Sequence, residues 1–360
     1  MTTERAAGEL DEAKKDAFAA RMLGILNGAA LALMTSIGRQ TGLFEVMSTL
    51  PASTSPEIAR AAGLDERYVR EWLGAMVTGG IVAFDPGRRT YVLPPEHAAV
   101  ITQAAGPRNM ARFTQYIAML GEVEADVVES FRKGGGVPYD RYPRFQKLMA
   151  ESSGLRFDHL LLQKVVPLAG VRDALERGID VLDIGCGRGH AVNLLAGAFP
   201  RSRFAGYDFS EAGIAAAEAE ARVLGHTNVR FAARDVAAID EPERYDLITA
   251  FDVIHDQAKP ADVLREVARA LRPAGTFLMV DVRASSDLQD NITHPFAPFL
   301  YGMSTMHCMT VSLALSGAGL GTVWGEQKAL AMLGEAGLAW VEVHRLADDP
   351  LNNYYVARKG

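Results

Sequence analysis

Cysteine is nearly absent: Cys186 and Cys308 are the only two in 360 residues. That count excludes a disulfide framework and leaves no thiol pair spaced to hold zinc, and it fits a reducing cytoplasm. Basic stretches are also lacking. Lys and Arg total 37 against 44 Asp and Glu, a net charge of −7, which argues against nucleic-acid binding through phosphates. The first 16 residues are polar and rich in acids, so they do not read as a secretory signal. One long uncharged run exists, residues 22–38, but Asn27, Thr35 and Ser36 interrupt it and it barely reaches bilayer length. A buried helix at a subunit interface is the better reading, with no membrane partner. Repeats and low-complexity tracts are missing too.

What is present divides into two unlike halves. Residues 18–96 read as helices that end in a short hairpin. Ser55-Pro56-Glu57 starts a helix with serine as the cap and proline in first place. Ala62-Gly63-Leu64 turns the chain, and residues 66–78 return with Val69, Leu73 and Met76 on one face. Residues 81–84 and 90–93, joined at Asp85-Pro86-Gly87, form a two-stranded wing. Helix, turn, helix and hairpin make a winged-helix arrangement. Residues 104–169 read as mainly helical, broken at Gly134-Gly135-Gly136-Val137-Pro138.

From Gly178 onward strands alternate with alanine-rich helices: 181–184, 203–207, 229–232, 245–250 and 276–280. Alternation of this kind predicts a parallel sheet covered on both faces. Residues 340–345 and 354–357 are close enough in sequence for an antiparallel hairpin.

The chemistry begins where the first of these strands runs into Gly185-Cys186-Gly187-Arg188-Gly189 and then a helix. Glycines let the backbone approach a ligand, and a helix N-terminus favours negative charge. A nicotinamide or flavin fingerprint needs glycine where this chain has His190. Two acids follow at strand ends. Asp208 closes Phe204-Ala205-Gly206-Tyr207-Asp208, about where a ribose diol would be held, and Asp235 closes the next strand before Val236. Each acid alone would also suit a helix cap or a solvated turn.

With Tyr245-Asp246-Leu247-Ile248-Thr249-Ala250-Phe251-Asp252 and Leu271-Arg272-Pro273-Ala274-Gly275-Thr276 added, the segment resembles the class I S-adenosylmethionine-dependent methyltransferases. The whole chain resembles their winged-helix small-molecule O-methyltransferases. The resemblance implies an α/β fold: a Rossmann-like seven-stranded sheet with a C-terminal antiparallel hairpin, behind an N-terminal all-α winged-helix dimerisation domain. It implies boundaries at 1–103, 104–177 (a helical wall to the substrate) and 178–360, with a lid insertion at 281–324. It implies that Asp183 and the backbones of Gly185 and Phe251 hold the methionine end of S-adenosylmethionine, with Gly187 and Gly189 shaping the loop. Asp208 would bind the ribose hydroxyls, Phe209 would lie against adenine, and Asp235 with Val236 would contact its amino group.

The acceptor side rests on fewer residues. His255 follows the fourth strand, at the sheet edge where ligands of such folds bind, and is the candidate base for a hydroxyl acceptor. The family usually continues with tryptophan, where this sequence has Gln257. The 281–324 insertion contributes Phe296, Tyr301, Met306 and His307 as cover for the acceptor, with His307 a second catalytic candidate. Tyr139, Tyr142 and Phe145 close the opposite wall. Such a pocket suits a small, mostly apolar acceptor. A thiol acceptor is the alternative, prompted by His307 beside Cys308; two such residues are far short of a metal site.

The winged helix prompts another reading, a DNA-binding regulator that senses S-adenosylmethionine. Its second helix opens Asp65-Glu66-Arg67-Tyr68-Val69-Arg70-Glu71-Trp72, whose acids offset its arginines. The uncharged 22–38 run favours a homodimer instead. A catalytically dead scaffold is the third reading, against which the intact loop and acids argue.

Overall fold

A computed structural model describes residues 10–360, so most of the polar opening stretch, residues 1–9, lies outside the described residues. The chain divides into two compact units, residues 1–118 and 119–360.

The first unit opens on the helix Glu12–Gln40, capped by the Asp11 carboxylate, which accepts the Lys14 amide at 3.1 Å. Most of residues 22–38 are not buried by the chain itself, and their burial at a subunit interface stays an expectation. The segment is helical, but Met22, Leu23, Ile25, Leu26, Leu33 and Ile37 are exposed, and only Thr35, Ser36 and Gly38 are buried. Apolar spacing makes a stripe, but this stripe faces outward from the chain's own core.

The helix–turn–helix follows as Ser55–Ala62, a turn at Gly63 with φ +65°, and Glu66–Thr78. The cap lies one residue earlier than the sequence pattern placed it. Thr54, not Ser55, is the N-cap, and its amide and hydroxyl both donate to the Glu57 carboxylate, at 2.8 and 2.7 Å. Ser55 instead ties the two helices, donating to Glu66 at 2.6 Å. Phe44, Ile58, Val69, Leu73 and Met76 form the core. β1 (Ala83–Asp85) and β2 (Thr90–Val92) pair antiparallel as the wing.

The second unit carries β3 (Asp180–Ile184), β4 (Arg203–Asp208), β5 (Val229–Ala233), β6 (Tyr245–Phe251), β7 (Leu271–Val282), β8 (Trp340–Leu346) and β9 (Asp349–Arg358). Their order is β5-β4-β3-β6-β7-β9-β8. The first five run parallel, while β9 pairs antiparallel with both β7 and β8. All five β3 residues are buried, and side chains alternate between two cores. Leu182 and Ile184 pack towards the helices Pro260–Ala270 and Gly325–Glu335; Val181 packs towards His190–Ala198. Strand order reverses between β3 and β6, and at that reversal the carboxyl ends of the strands open a crevice.

Half of the 281–324 insertion is helical: Leu288–Asn291, Ala297–Met303, a π turn Ser304–Cys308, and Met309–Ala314. A second π segment, Phe157–Val165, follows the helix Phe145–Arg156. π segments concentrate at functional sites, and both of these flank the crevice.

Candidate active site

The glycine loop departs from β3 in a conformation that side chains resist. Gly185, Gly187 and Gly189 have φ of +62°, +54° and +74°. A Cβ on Gly189 would stand 2.4 Å from the Ala217 Cβ, and one on Gly185 would meet Val253 at 2.6 Å. At Gly187 a Cβ would meet nothing within 4 Å, so that glycine faces open space. The first two close on protein and the middle one leaves room for a ligand. Gly189→Ala is therefore expected to cost roughly 1–3 kcal/mol from backbone strain alone, with the clash added. Gly187→Ala should melt closer to the wild type yet lose cofactor affinity; thermal melts and binding titrations separate the two.

His190 stands where a dinucleotide fingerprint has its last glycine. Its ring meets Glu220 at 2.7 Å through Nδ1 and Asp158 at 2.9 Å through Nε2. The side chain thus bolts the loop's helix to Glu211–Leu224 and to the π segment at 157–165.

Asp208 ends β4, largely buried, and its two oxygens accept the amides of Gly187 at 2.8 Å and Ser210 at 2.9 Å. A carboxylate has about four acceptor sites, so about two remain for a diol. Phe209 beside it is 63% exposed, available to a ring. Asp183 is buried in β3 and accepts the Thr249 hydroxyl at 2.6 Å. Asp235 is exposed and accepts the Ala237 amide at 2.8 Å, capping the short turn Val236–Ala238. Phe251 packs edge-on against Phe157, centroids 4.9 Å apart.

Negative charge accumulates here. Burial, and then the charge of Asp208, pushes Asp183 up to about 7. Asp256 is pushed up to about 6 by burial, with Asp281 and Asp208 adding to the rise against the opposing pull of His255. Burial raises Asp208 as well. A cleft in which carboxylates repel one another disfavours a pyrophosphate and favours a cation.

His255 is buried after β6, and its Nδ1 lies 2.7 Å from the Asp281 carboxylate at the end of β7. Asp281 is fully buried and also accepts the Val282 amide at 2.7 Å. Burial opposes charge on His255, but Asp281 and the neighbouring Cys308 thiol outweigh it, and the imidazolium persists well above the usual range. Gln257, at the position where tryptophan is usual, anchors the loop: its carbonyl accepts the Ser312 hydroxyl at 2.9 Å. The Gly321 amide donates to the His255 carbonyl at 3.0 Å, so the insertion clamps the His255 loop from two sides.

His307 lies in a cluster of rings. Phe145 stacks on it at 3.6 Å between centroids, Tyr142 stands edge-on at 4.6 Å and Tyr139 at 5.9 Å. Tyr139 also meets Phe209, at 5.3 Å. The Tyr142 hydroxyl donates to the Met306 carbonyl at 2.5 Å, so Met306 enters through its backbone. Tyr139, Tyr142, Phe145, Met306 and His307 thus come together. Phe296 and Tyr301 sit elsewhere in the insertion: Phe296 lies beside His294, and the exposed Tyr301 accepts from Asn291 at 3.2 Å through its hydroxyl.

Sequence reasoning passed over three groups. Arg156 donates to Asp252 at 2.6 Å and stands 4.0 Å from Asp349, a largely enclosed ion pair tying the helix before the sheet unit to the end of β6. Asp252 carries the strain, with φ +59°. Asp281 was the third, read only as the first residue of the insertion.

Known proteins match both units. Residues 29–103 match the Rv2258c-like winged HTH domain, and residues 175–337 match a methyltransferase domain. The chain carries a methyltransferase domain behind a winged helix. Among curated relatives, the malonyl-[acyl-carrier protein] O-methyltransferase of Bacillus cereus is 30% identical over 145 residues, 40% of this chain and 48% of that protein. The ubiquinone biosynthesis O-methyltransferase of Leptothrix cholodnii is 28% identical over 27% of this chain and 42% of its own length. The chain therefore spans about half the length of the curated relatives it matches. Solved structures match at greater length. Human N-acetylserotonin methyltransferase, in complex with S-adenosylmethionine, covers 100% of both chains with a TM-score of 0.65 and 15% identity. Mitomycin 7-O-methyltransferase covers 97% of this chain and 100% of its own, with a TM-score of 0.66 and 19% identity. At those identities the likeness establishes the fold.

Proposed function

We propose that this methyltransferase-domain protein transfers a methyl group from S-adenosylmethionine to a hydroxyl of a small aromatic molecule, with His255 as the base. The observation that carries the cofactor assignment is the acidic cleft. Asp183, Asp208 and Asp256 are each raised chiefly by burial, with the charge of Asp208 adding to the rise at Asp183 and Asp256. A cationic sulfonium nucleoside suits such a site, where a dinucleotide pyrophosphate would add negative charge.

The residues present fit the group. Asp208 offers its remaining lone pairs to the ribose, Gly187 leaves room beside the loop, and Phe209 lies open to the adenine. Asp183 and the backbone at Gly185 and Phe251 serve the methionine end, and Asp235 with Val236 the adenine edge. Bound there, S-adenosylmethionine supplies an electrophilic methyl group on a sulfonium. The chain's part is to position the acceptor, exclude water and take a proton. His255, oriented by Asp281, takes the acceptor's proton when its ring is neutral. The insertion at 281–324 covers the acceptor, with Met306 and His307 inward and Phe296 and Tyr301 along its outer part.

The O-methyltransferase relatives favour oxygen over a thiol as acceptor. A panel assay with labelled cofactor against phenols, thiols, amines and acids tests this. Label in phenols supports the reading; label in thiols alone overturns it.

The front unit serves dimerisation. Arg67 pairs with Glu71 and Arg70 with Glu66 on the second helix of the helix–turn–helix, which weakens the attraction of that helix for phosphates. The exposed stripe at Met22, Ile25, Leu26, Leu33 and Ile37 suits a second copy of the chain. By length and composition, Glu12–Gln40 would also span a membrane. Paired Leu26→Glu and Leu33→Glu substitutions are expected to turn a dimer into a monomer in sedimentation. A wild-type monomer, or partition into vesicles, contradicts the dimer. The scarcity of cysteine supports a cytoplasmic location.

A further inference from the structure

His307 is fully buried, and neither ring nitrogen meets a donor or acceptor of the protein. The polar groups around it are already committed. Tyr142 donates its hydroxyl to the Met306 carbonyl, and Gln146 lies beside the Tyr139 hydroxyl and lowers its pKa against the effect of burial. Phe145 offers only a ring face. A neutral imidazole has one donor and one acceptor, and leaving both unmatched in a protein interior is costly, so such groups mark places where a ligand completes the bonding.

The position narrows the ligand. On one side the ring contacts run from His307 through Tyr139 to Phe209, at the cofactor end. On the other, His307 precedes Cys308, which lies close enough to His255 to raise its pKa. The imidazole therefore borders the acceptor between cofactor and base. We infer that His307 is a specificity-determining residue that recognises a second hydroxyl on a dihydric aromatic acceptor. This rests on the proposed function and names its substrate class.

A hydroxyl both donates and accepts, matching the two nitrogens. A carboxylate does not match. Burial, and then the charge of His255, holds His307 neutral, down to about 3, so it gives an anion no counter-charge. Asp256 and Asp208, whose charges act on the adjoining Tyr139, would repel one.

The test compares catechol, phenol and salicylate in wild type and His307→Phe, which keeps a ring against Phe145 and removes both nitrogens. Wild-type kcat/KM for catechol should exceed that for phenol and salicylate by about tenfold or more. In His307→Phe the catechol value should fall about tenfold or more further than the phenol value, removing the preference, while the Kd for S-adenosylmethionine stays unchanged. His307→Asn, which restores a donor and an acceptor, should recover part of the preference and guards against a folding defect. Equal treatment of catechol and phenol by the wild type, or an equal loss on both in His307→Phe, overturns the inference and leaves O-methylation standing. No transfer to any of the three overturns both.

Discussion

Asp208→Ala is expected to weaken S-adenosylmethionine binding by about tenfold or more, the loss of one charge-assisted interaction, while the protein stays folded. The side chain ends β4 at the crevice, and its contacts are local. Losing it frees only the amides of Gly187 and Ser210, both beside the open cleft. Asp208→Asn should fall between, since it keeps one acceptor and loses the charge. The same cleft gives the binding a pH dependence. Asp183 and Asp256 are pushed up to about 7 and about 6, so part of each is protonated in the free protein in that interval, and burial raises Asp208 as well. A cation binds the ionised forms better. Affinity should therefore rise as pH rises through that interval, with protons released on binding. Titration in buffers of different ionisation enthalpy reads that release directly; proton uptake would contradict it.

His255→Ala is expected to lower kcat by about a hundredfold to ten-thousandfold, with cofactor affinity unchanged, if a phenol is the acceptor. The base must be neutral to take a proton, and Asp281 and Cys308 hold it as the cation against the effect of burial. Activity should therefore be lost as pH falls, starting above the usual histidine range. His255→Ala should flatten that limb. Asp281→Asn removes the carboxylate at 2.7 Å, so it should shift the limb to lower pH and reduce the rate through lost orientation. A rate that stays near wild type in His255→Ala would leave His255 a packing residue.

The sheet was legible because its signals are local. Most parallel strands are short apolar runs ending in glycine or acid, and all seven strands overlap the expected spans, although β7 begins at Leu271 and not 276, and β9 at Asp349 and not 354. The cofactor side was legible for the same reason, since Asp183, Gly185 and Asp208 ride on neighbouring strands whose register follows from that pattern. The acceptor side was not. Asp281 meets His255 across 26 residues of sequence, and Arg156 meets Asp252 across 96. Nothing in spacing marks such pairs, because tertiary packing creates them. The π turns at 157–165 and 304–308 were hidden as well, for their residues carry ordinary helical patterns. The outward stripe on Glu12–Gln40 was legible only in part. Composition records that a face is apolar, not which chain covers it.

The central claim is that the crevice at the ends of β3, β4 and β6 takes a sulfonium nucleoside. Calorimetric titration of the intact protein with S-adenosylmethionine, S-adenosylhomocysteine, NAD and FAD tests it most directly. Saturable binding of the first two, one per chain and weakened in Asp208→Ala, with no heat from NAD or FAD, is the predicted result. Binding of either dinucleotide in place of S-adenosylmethionine, or an affinity indifferent to Asp208, would contradict it.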